Sequence, residues 1–464
     1  MSHTDALVGE ERAVLREGAV IFLLGLSIVL VIMNTMMFNL ALPAVSADFG
    51  IAASSASWIV TGYSIVFAIS SIAGSRLSDF VPIRRLFMIG IVLLGVAAIA
   101  GFFSNRFVPL LIARLLQALG AGSIPSLSLV LVTRYVPLER RGKAMAALMS
   151  ASSLGFGLGP VVGGAIVQYL GWHALFAVTS LTLLLAPLFA ALLPKEAPGR
   201  GTFDWPGALF IGAGSTGLLL FLTNRSWTAL AAGLAALVLF ARRIRRAENP
   251  FVEPALFRHR PYLMLGAVGI AVYMCGFAAL FLLPQILDQR FGLSALATGI
   301  VIFPGSLLSF MLSRWAGKMI DRYGNGPFIR FSPLLTLSSV VLFALFASVS
   351  YIAVLFVYML MSVGFTLLMS SISNEMSRML PASQIGSGLG LYQLLQFFSG
   401  AFGAAAAASA LVWQLKFSLS FAYGTIFWGM AFIVLAAIGC AHLYLRDLRD
   451  RGSDRSGAAS QGII

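Results

Sequence analysis

The sequence predicts an all-α integral membrane protein with fourteen transmembrane helices. Three observations carry this expectation. Of 464 residues 59% are hydrophobic and only 10% are charged, too few polar side chains to cover a water-facing surface. Charge-poor runs of about the 20 residues needed to cross a hydrocarbon core recur along the whole chain. Lys and Arg gather in every second interval between these runs, as expected for short loops kept in the cytoplasm.

Taken in order, the expected spans are 18–43, 57–74, 86–104, 108–133, 144–168, 174–194, 205–223, 227–241, 263–287, 294–317, 330–348, 351–373, 386–412 and 419–445. A polar segment, 1–17, precedes the first. That first run is too long for the apolar core of a signal peptide and is expected to stay in the mature protein. SRLSDFVPIRR (75–85) joins the second and third spans, and the fourth contains Arg114. In the fifth lies ASSLGFGLGPVVGGAI (151–166), uncharged and with five glycines and a proline. The eighth, 227–241, is short and must borrow length from the interface. GKMIDRYGNG (317–326) joins the tenth and eleventh. From Arg446 the chain is polar and rich in glycine and serine, a composition that predicts a disordered tail over 446–464.

Of the 31 Lys and Arg, four (Arg106, Arg225, Arg290 and Lys416) fall in outside loops when the N-terminus is placed inside, and Arg114 lies within a span. The others lie on the inside or at span ends bordering it. Both termini are therefore expected in the cytoplasm, in a cytoplasmic-membrane protein. This bias accounts for the formal charge of +14. Anionic membrane lipid is the expected counter-charge, and no nucleic-acid partner is implied. Cys275 and Cys440 both lie in spans, so they imply no disulfide framework.

The two inner loops resemble one another. Asp79 follows Ser75 by four residues, as Asp321 follows Gly317, with basic residues close to each. A repeat of this kind is what a duplicated transporter fold leaves in sequence. It divides the chain into a cytoplasmic N-terminus (1–17), a six-helix bundle (18–194), a linker with two inserted helices (195–262), a second six-helix bundle (263–445) and the tail (446–464).

Several stretches carry a resemblance across nearly the whole chain: NLALPAVSADFG (39–50), RLSDFVPIRR (76–85), ARLLQALGAG (113–122), YVPLERRGKA (135–144), GLGPVVGGAIVQYLGW (157–172), ENPFVEPALF (248–257) and GIVIFPGSLLSF (299–310). In order and spacing the chain resembles the fourteen-helix drug:proton antiporters of the major facilitator superfamily, and looks closest to class L tetracycline efflux proteins and their multidrug relatives. The resemblance implies the major facilitator fold, alternating access, a small-molecule substrate and a proton as coupling ion. The chain is expected to act as a monomer without a cofactor or metal.

Physical argument and resemblance meet at the glycines of the fifth span. Gly155, Gly159 and Gly163 recur every four residues and share a helix face, and small residues let helices approach closely in lipid. Pro160 can bend that face. By resemblance Gly155, Gly159, Pro160, Gly163 and Gly164 form the antiporter motif, placed at the contact between the two halves. Asp79, with Arg84 and Arg85 near it, and Asp321, with Arg322, are the expected gating loops. Such a carboxylate can hold an arginine or a helix N-terminus in one conformation and release it in another.

Arg114 is costly within a membrane, by about 2.5 to 3.5 kcal/mol on insertion scales, so it should face protein or a water-filled cavity. With Gln117 it matches the RxxQG-like motif. Relatives carry a buried acid at the position of Asn34 or Thr35, where this chain has none. At 1.5 Å per residue Asn34 lies ~13 Å below Pro43 and Arg114 ~9 Å below the start of its span, comparable depths. Arg114 is thus expected to lack its counter-ion. Of the 17 acids, only Glu375 and Asp288 touch the membrane region, and they are the candidate proton carriers. Tyr63, Tyr273, Gln393 and Gln396 are candidate polar cavity residues, with Phe38 and Phe277 as apolar walls.

The residue inventory argues against an enzyme. The four histidines are scattered, the cysteines lack ligand spacing, and no phosphate-cradling Gly-Lys-Ser/Thr run occurs. Secondary export of small amphiphilic drugs or metabolites, flipping or export of lipids or lipid-linked substrates, and ligand reception without turnover by a transporter-derived membrane receptor are the functions left open.

Overall fold

A computed structural model describes residues 17–51, 56, 58–196, 203–248, 250–381, 384–414, 416 and 418–461. Residues 1–16, most of the N-terminal segment, lie outside them. The long helices are α1 (Glu17–Phe49), α2 (Trp58–Leu77), α3 (Ile83–Phe102), α4 (Phe107–Tyr135), α5 (Leu138–Leu170), α6 (Ala174–Leu192), α7 (Trp205–Asn224) and α8 (Trp227–Ile244). They continue with α9 (Arg260–Phe291), α10 (Ala295–Tyr323), α11 (Gly326–Phe346), α12 (Tyr351–Met379), α13 (Ile385–Trp413) and α14 (Leu419–Gln461). Each of the fourteen expected spans has its helix. Among the described residues 13 of them are long and apolar enough to cross a membrane, all but α7.

Local chemistry explains where these helices begin, break and end. The Asp204 side chain accepts from Gly207 N at 3.1 Å and caps α7, with Pro206 in its first turn. Ser226 Oγ caps α8 by accepting from Ala229 N. The eighth span is longer than its apolar run, because α8 extends to Ile244 and takes in Arg242 and Arg243, cations that suit a helix C-terminus. A 3-10 turn at Leu181–Leu185 interrupts α6 just before Pro187, which has no backbone N–H to offer the preceding turn. The polar tail, for which composition predicts disorder, continues α14 as helix to Gln461. Propagating a formed helix requires no new nucleus.

Helices α1–α6 form one bundle and α9–α14 the other. Antiparallel helix pairs join them, chiefly α5 with α10, α2 with α13 and α5 with α12, and the first is the most extensive helix contact among the described residues. Along α5, Gly142 lies against Ile320 and Asp321, Gly157 against Ser306, and Val161 against Gly299. From Gly142 to Val161 is ~29 Å at 1.5 Å per residue, so the seam runs nearly the full thickness of a bilayer core. The inserted helices α7 and α8 pack on one another through Gly214, Gly217 and Gly233, and α7 touches both α2 and α13.

One expectation about the fifth span is corrected. The stripe of Gly155, Gly159 and Gly163 faces α1 of its own bundle, not the other half. A Cβ at Gly155 would lie 2.8 Å from Ile32 Cβ, one at Gly159 would collide with Met36, and one at Gly163 would lie 2.9 Å from Met37 Cα. Gly157 turns to the other half, where a Cβ would meet Ser306 Cβ at 2.5 Å. A spacing of four residues identifies a shared face but not its neighbour. Pro160 and Gly164 are half-buried in the same helix.

Candidate functional site

The α2–α3 and α10–α11 connections lie at one end of the molecule, called here the basic end. Two aspartate contacts bridge the bundles there, one for each copy of the repeat, and are called latches below. In the first, the Asp79 carboxylate sits against Gly386 in the opening turn of α13, and Ser75 Oγ donates to Gly386 O at 2.6 Å. In the second, Asp321 accepts from Gly142 N at 2.8 Å and Lys143 N at 3.1 Å in the opening turns of α5. Arg141 adds bonds from α5 to Ser377 of α12. Each aspartate meets a helix N-terminus of the opposite bundle, where backbone N–H groups without a partner in their own helix are available to a side-chain oxygen.

The arginines around Asp79 are not those closest after it in sequence. Arg76 Nη1 lies 2.7 Å and Arg134 Nη2 3.1 Å from the carboxylate. Arg84 and Arg85 follow Pro82 onto α3, where Arg84 is half-buried and Arg85 exposed. Arg134 also approaches Glu196 at 3.6 Å, and Glu196 accepts from Tyr135 Oη and Ile83 N. Burial holds the Asp79 carboxyl above the usual carboxylate value, against the pull of Arg76 and Arg134, and the charge of Glu253 pushes in the same direction as burial. Arg322 is exposed and lies over the ring of Tyr323.

About two turns into α4 lies the second element of the site. Arg114 is fully buried, with its guanidinium carbon 3.8 Å from the ring centre of Phe38 and 4.1 Å from that of Tyr63. Its Nη1 donates to Gln117 Oε1 at 2.8 Å and to Asn34 Oδ1 at 3.4 Å, so the comparable depths inferred from sequence correspond to a contact. Thr179 Oγ1 donates to Asn34 Oδ1 at 2.9 Å, and Asn34 and Thr35 both reach the Tyr63 hydroxyl. Among the described residues no acid forms a salt bridge with Arg114, and its Nε and Nη2 have no hydrogen-bond partner. A desolvated cation–π contact contributes about 2 kcal/mol, less than the several kcal/mol lost by moving a charge out of water. The site therefore carries an uncompensated positive charge.

An aromatic row leads from this cation into the other bundle. Tyr63 stacks on Phe67, Phe67 meets Phe397 at 4.7 Å, Phe397 meets Tyr273, and Tyr273 stacks on Phe277 at 4.8 Å. Phe277 returns across the interface to Phe156 of α5 at 5.0 Å. Gln393 and Gln396 lie buried beside the row on α13, and Gln396 donates to Met369 Sδ. The predicted cavity residues are thus brought together, from Asn34, Phe38, Tyr63, Arg114 and Gln117 on one side to Tyr273, Phe277, Gln393 and Gln396 on the other.

The two candidate proton carriers lie apart from this row. Glu375 is held at the basic end by Tyr444 Oη at 2.8 Å and by Asn325 Nδ2. Asp288 is exposed near the end of α9. Sequence reasoning did not single out Arg76, Arg134, Glu196 or Thr179. Arg76 was available from its place one helical turn before Asp79, but Arg134 and Thr179 come from other helices and Glu196 from the segment after α6, and they leave no local signal.

Comparison with known proteins bears on the fold and the family. The family model described as Major Facilitator Superfamily matches residues 24–404. The riboflavin transporter RibZ of Clostridioides difficile (strain 630) is 30% identical over 292 residues, 62% of this chain and 64% of that protein. The puromycin resistance protein pur8 of Streptomyces alboniger is 30% identical over 291 residues, 59% of this chain and 57% of its own length. The matched regions span less than two thirds of both relatives. In fold, the crystal structure of the human organic anion transporter MFSD10 (TETRAN) is similar with a TM-score of 0.68 at 17% identity, covering 92% of this chain and 99% of that one.

Proposed function

Because this chain belongs to the Major Facilitator Superfamily, whose members are transporters, we propose that it is a secondary active exporter of small amphiphiles that are neutral, zwitterionic or anionic. Two relatives are named for riboflavin transport and puromycin resistance, which supports a small organic substrate. The aromatic row from Tyr63 to Phe156 offers stacking surfaces to flat molecules. The observation that carries the charge preference is Arg114, buried between two rings with two donor nitrogens unpartnered. At an effective dielectric of about 20, a unit charge ~6 Å away contributes close to 3 kcal/mol, about a hundredfold in affinity.

Transport proceeds by alternating access. The basic end is cytoplasmic, as the Lys and Arg distribution implies, and its two aspartate latches hold it shut while the opposite end releases substrate. Proton antiport drives the cycle. With no acid beside Arg114 among the described residues, the titrating group is placed at the latch, where Asp79 is buried and held above the ordinary carboxylate value. Glu375 and Asp288 remain outside that path.

The test uses inside-out vesicles carrying a pH gradient, challenged with cationic, neutral and anionic aromatic compounds. Neutral and anionic members should dissipate the gradient. Dissipation by quaternary cations alone would overturn the charge preference, and transport without any proton movement would overturn antiport. Cysteines at Arg106 and Lys416 should react with an impermeant thiol reagent outside intact cells, and cysteines at Arg85 and Arg246 should not.

A further inference from the structure

The segment between the inserted helices and the second bundle carries positive charge that the transport cycle described above does not use. From 242 to 260 it reads RRIRRAENPFVEPALFRHR. Arg243 is bound to Asp204 at 3.1 Å. Arg245 and Arg258 make no salt bridge among the described residues, and both are exposed. With Pro254, Ala255 and His259 they line an open pocket of about 670 Å³. His259 Nδ1 accepts from Tyr262 N, which leaves the proton of the neutral ring on Nε2 as a further donor. Among the described residues no carboxylate lines the pocket.

The surroundings identify the kind of anion. On α8, leading to Arg245, Leu234, Val238 and Leu239 are exposed, and Phe257 and Leu263 are exposed near Arg258. A donor-rich pocket bordered by apolar surface suits a ligand with an anionic head and hydrocarbon tails. Guanidinium groups bind phosphate oxygens in a bidentate fork, and basic pockets beside membrane helices hold acidic lipid headgroups. We propose that the pocket of Arg245, Arg258 and His259 binds the phosphodiester headgroup of an anionic phospholipid.

The position of the pocket links it to the latch. The same segment gives the Pro250 carbonyl to Arg76 Nη2 at 3.0 Å, and Phe251 N donates to Asp204 at 3.2 Å. Arg76 in turn holds Asp79. A lipid seated on Arg245 and Arg258 therefore steadies the segment that positions the first latch. Lipid occupancy is expected to favour the closed basic end.

The experiment places the purified full-length chain in nanodiscs of phosphatidylcholine, with and without phosphatidylglycerol, and counts co-purifying phosphatidylglycerol by mass spectrometry after exchange into detergent. The wild type should retain this lipid, and Arg245→Gln/Arg258→Gln should lose it at least fivefold. A charge-matched control, Arg314→Gln/Arg330→Gln, should retain it. Excess inorganic phosphate, the free-anion arm, should neither displace the lipid nor raise the melting temperature. Equal retention by both double variants would overturn the proposal, as would full displacement by phosphate. If the pocket variant is unstable, Arg245→Lys/Arg258→Lys keeps the charge without the bidentate fork, and unchanged lipid retention by it would also count against the site.

Discussion

At the level of single residues, two features have physical consequences. One is the lack of an acid beside Arg114, which leaves Asn34 and Gln117 to satisfy one of its terminal nitrogens while Nε and Nη2 go unbonded. The other is Ser75, which stands where the second copy of the repeat has Gly317. Its hydroxyl forms a 2.6 Å bond to Gly386 O across the bundle interface, so this chain has a latch contact that glycine could not make. Ser75→Ala should weaken the closed basic end by about 1 kcal/mol, the usual net value of one hydrogen bond. The expected reading is a roughly fivefold shift toward the open population in a single-molecule distance measurement, and an unchanged population would remove Ser75 from the latch. The sequence contained enough to pair Asn34 with Arg114, because helical rise converts residue number into depth. It assigned the wrong arginines to Asp79, since closeness along the chain favoured Arg84 and Arg85 across a helix start at Ile83, whereas Arg76 and Arg134 reach the carboxylate through folding.

Among the elements, α5 shows what periodicity can and cannot specify. Its glycines occupy two faces with different partners, Gly155, Gly159 and Gly163 on α1 and Gly157 on α10. A bulky side chain on either face overpacks a close contact, at a cost of about 1 to 3 kcal/mol, but the outcomes should differ. Gly159→Leu burdens packing within one bundle in every conformation, so the yield of folded protein and its melting temperature should fall. Gly157→Leu burdens the interface that must rearrange during transport, so folded protein should be recovered with transport lost. A lower melting temperature for Gly157→Leu than for Gly159→Leu would reverse this assignment. Helix number and order were readable because hydrophobic length is a property of the chain alone. The neighbour of each helix face was not, because it depends on how the bundles close.

Across the whole molecule, the proposed cycle makes the latches couple conformation to pH. Burial raises the Asp79 carboxyl above the unperturbed 3.8 in the closed form, so that form binds a proton more readily than one in which Asp79 is exposed. Acidification therefore favours closure, and the latch weakens as pH rises from the ordinary carboxylate value through the raised one. Spin labels at Arg85→Cys and Arg322→Cys, in a background lacking Cys275 and Cys440, should move apart over that window. Asp79→Asn should stay closed throughout, and a wild-type distance that ignores pH would separate the latch from proton binding. These movements matter only if substrate meets the buried charge of Arg114. The most direct measurement is the ratio of dissociation constants for two aromatic ligands of the same shape, one anionic and one cationic, on the wild type and on Asn34→Asp. The uncompensated Arg114 predicts ten- to hundredfold tighter binding of the anion by the wild type and a ratio near one once an acid is restored beside it. Equal binding of both ligands by the wild type, unmoved by Asn34→Asp, would contradict the account.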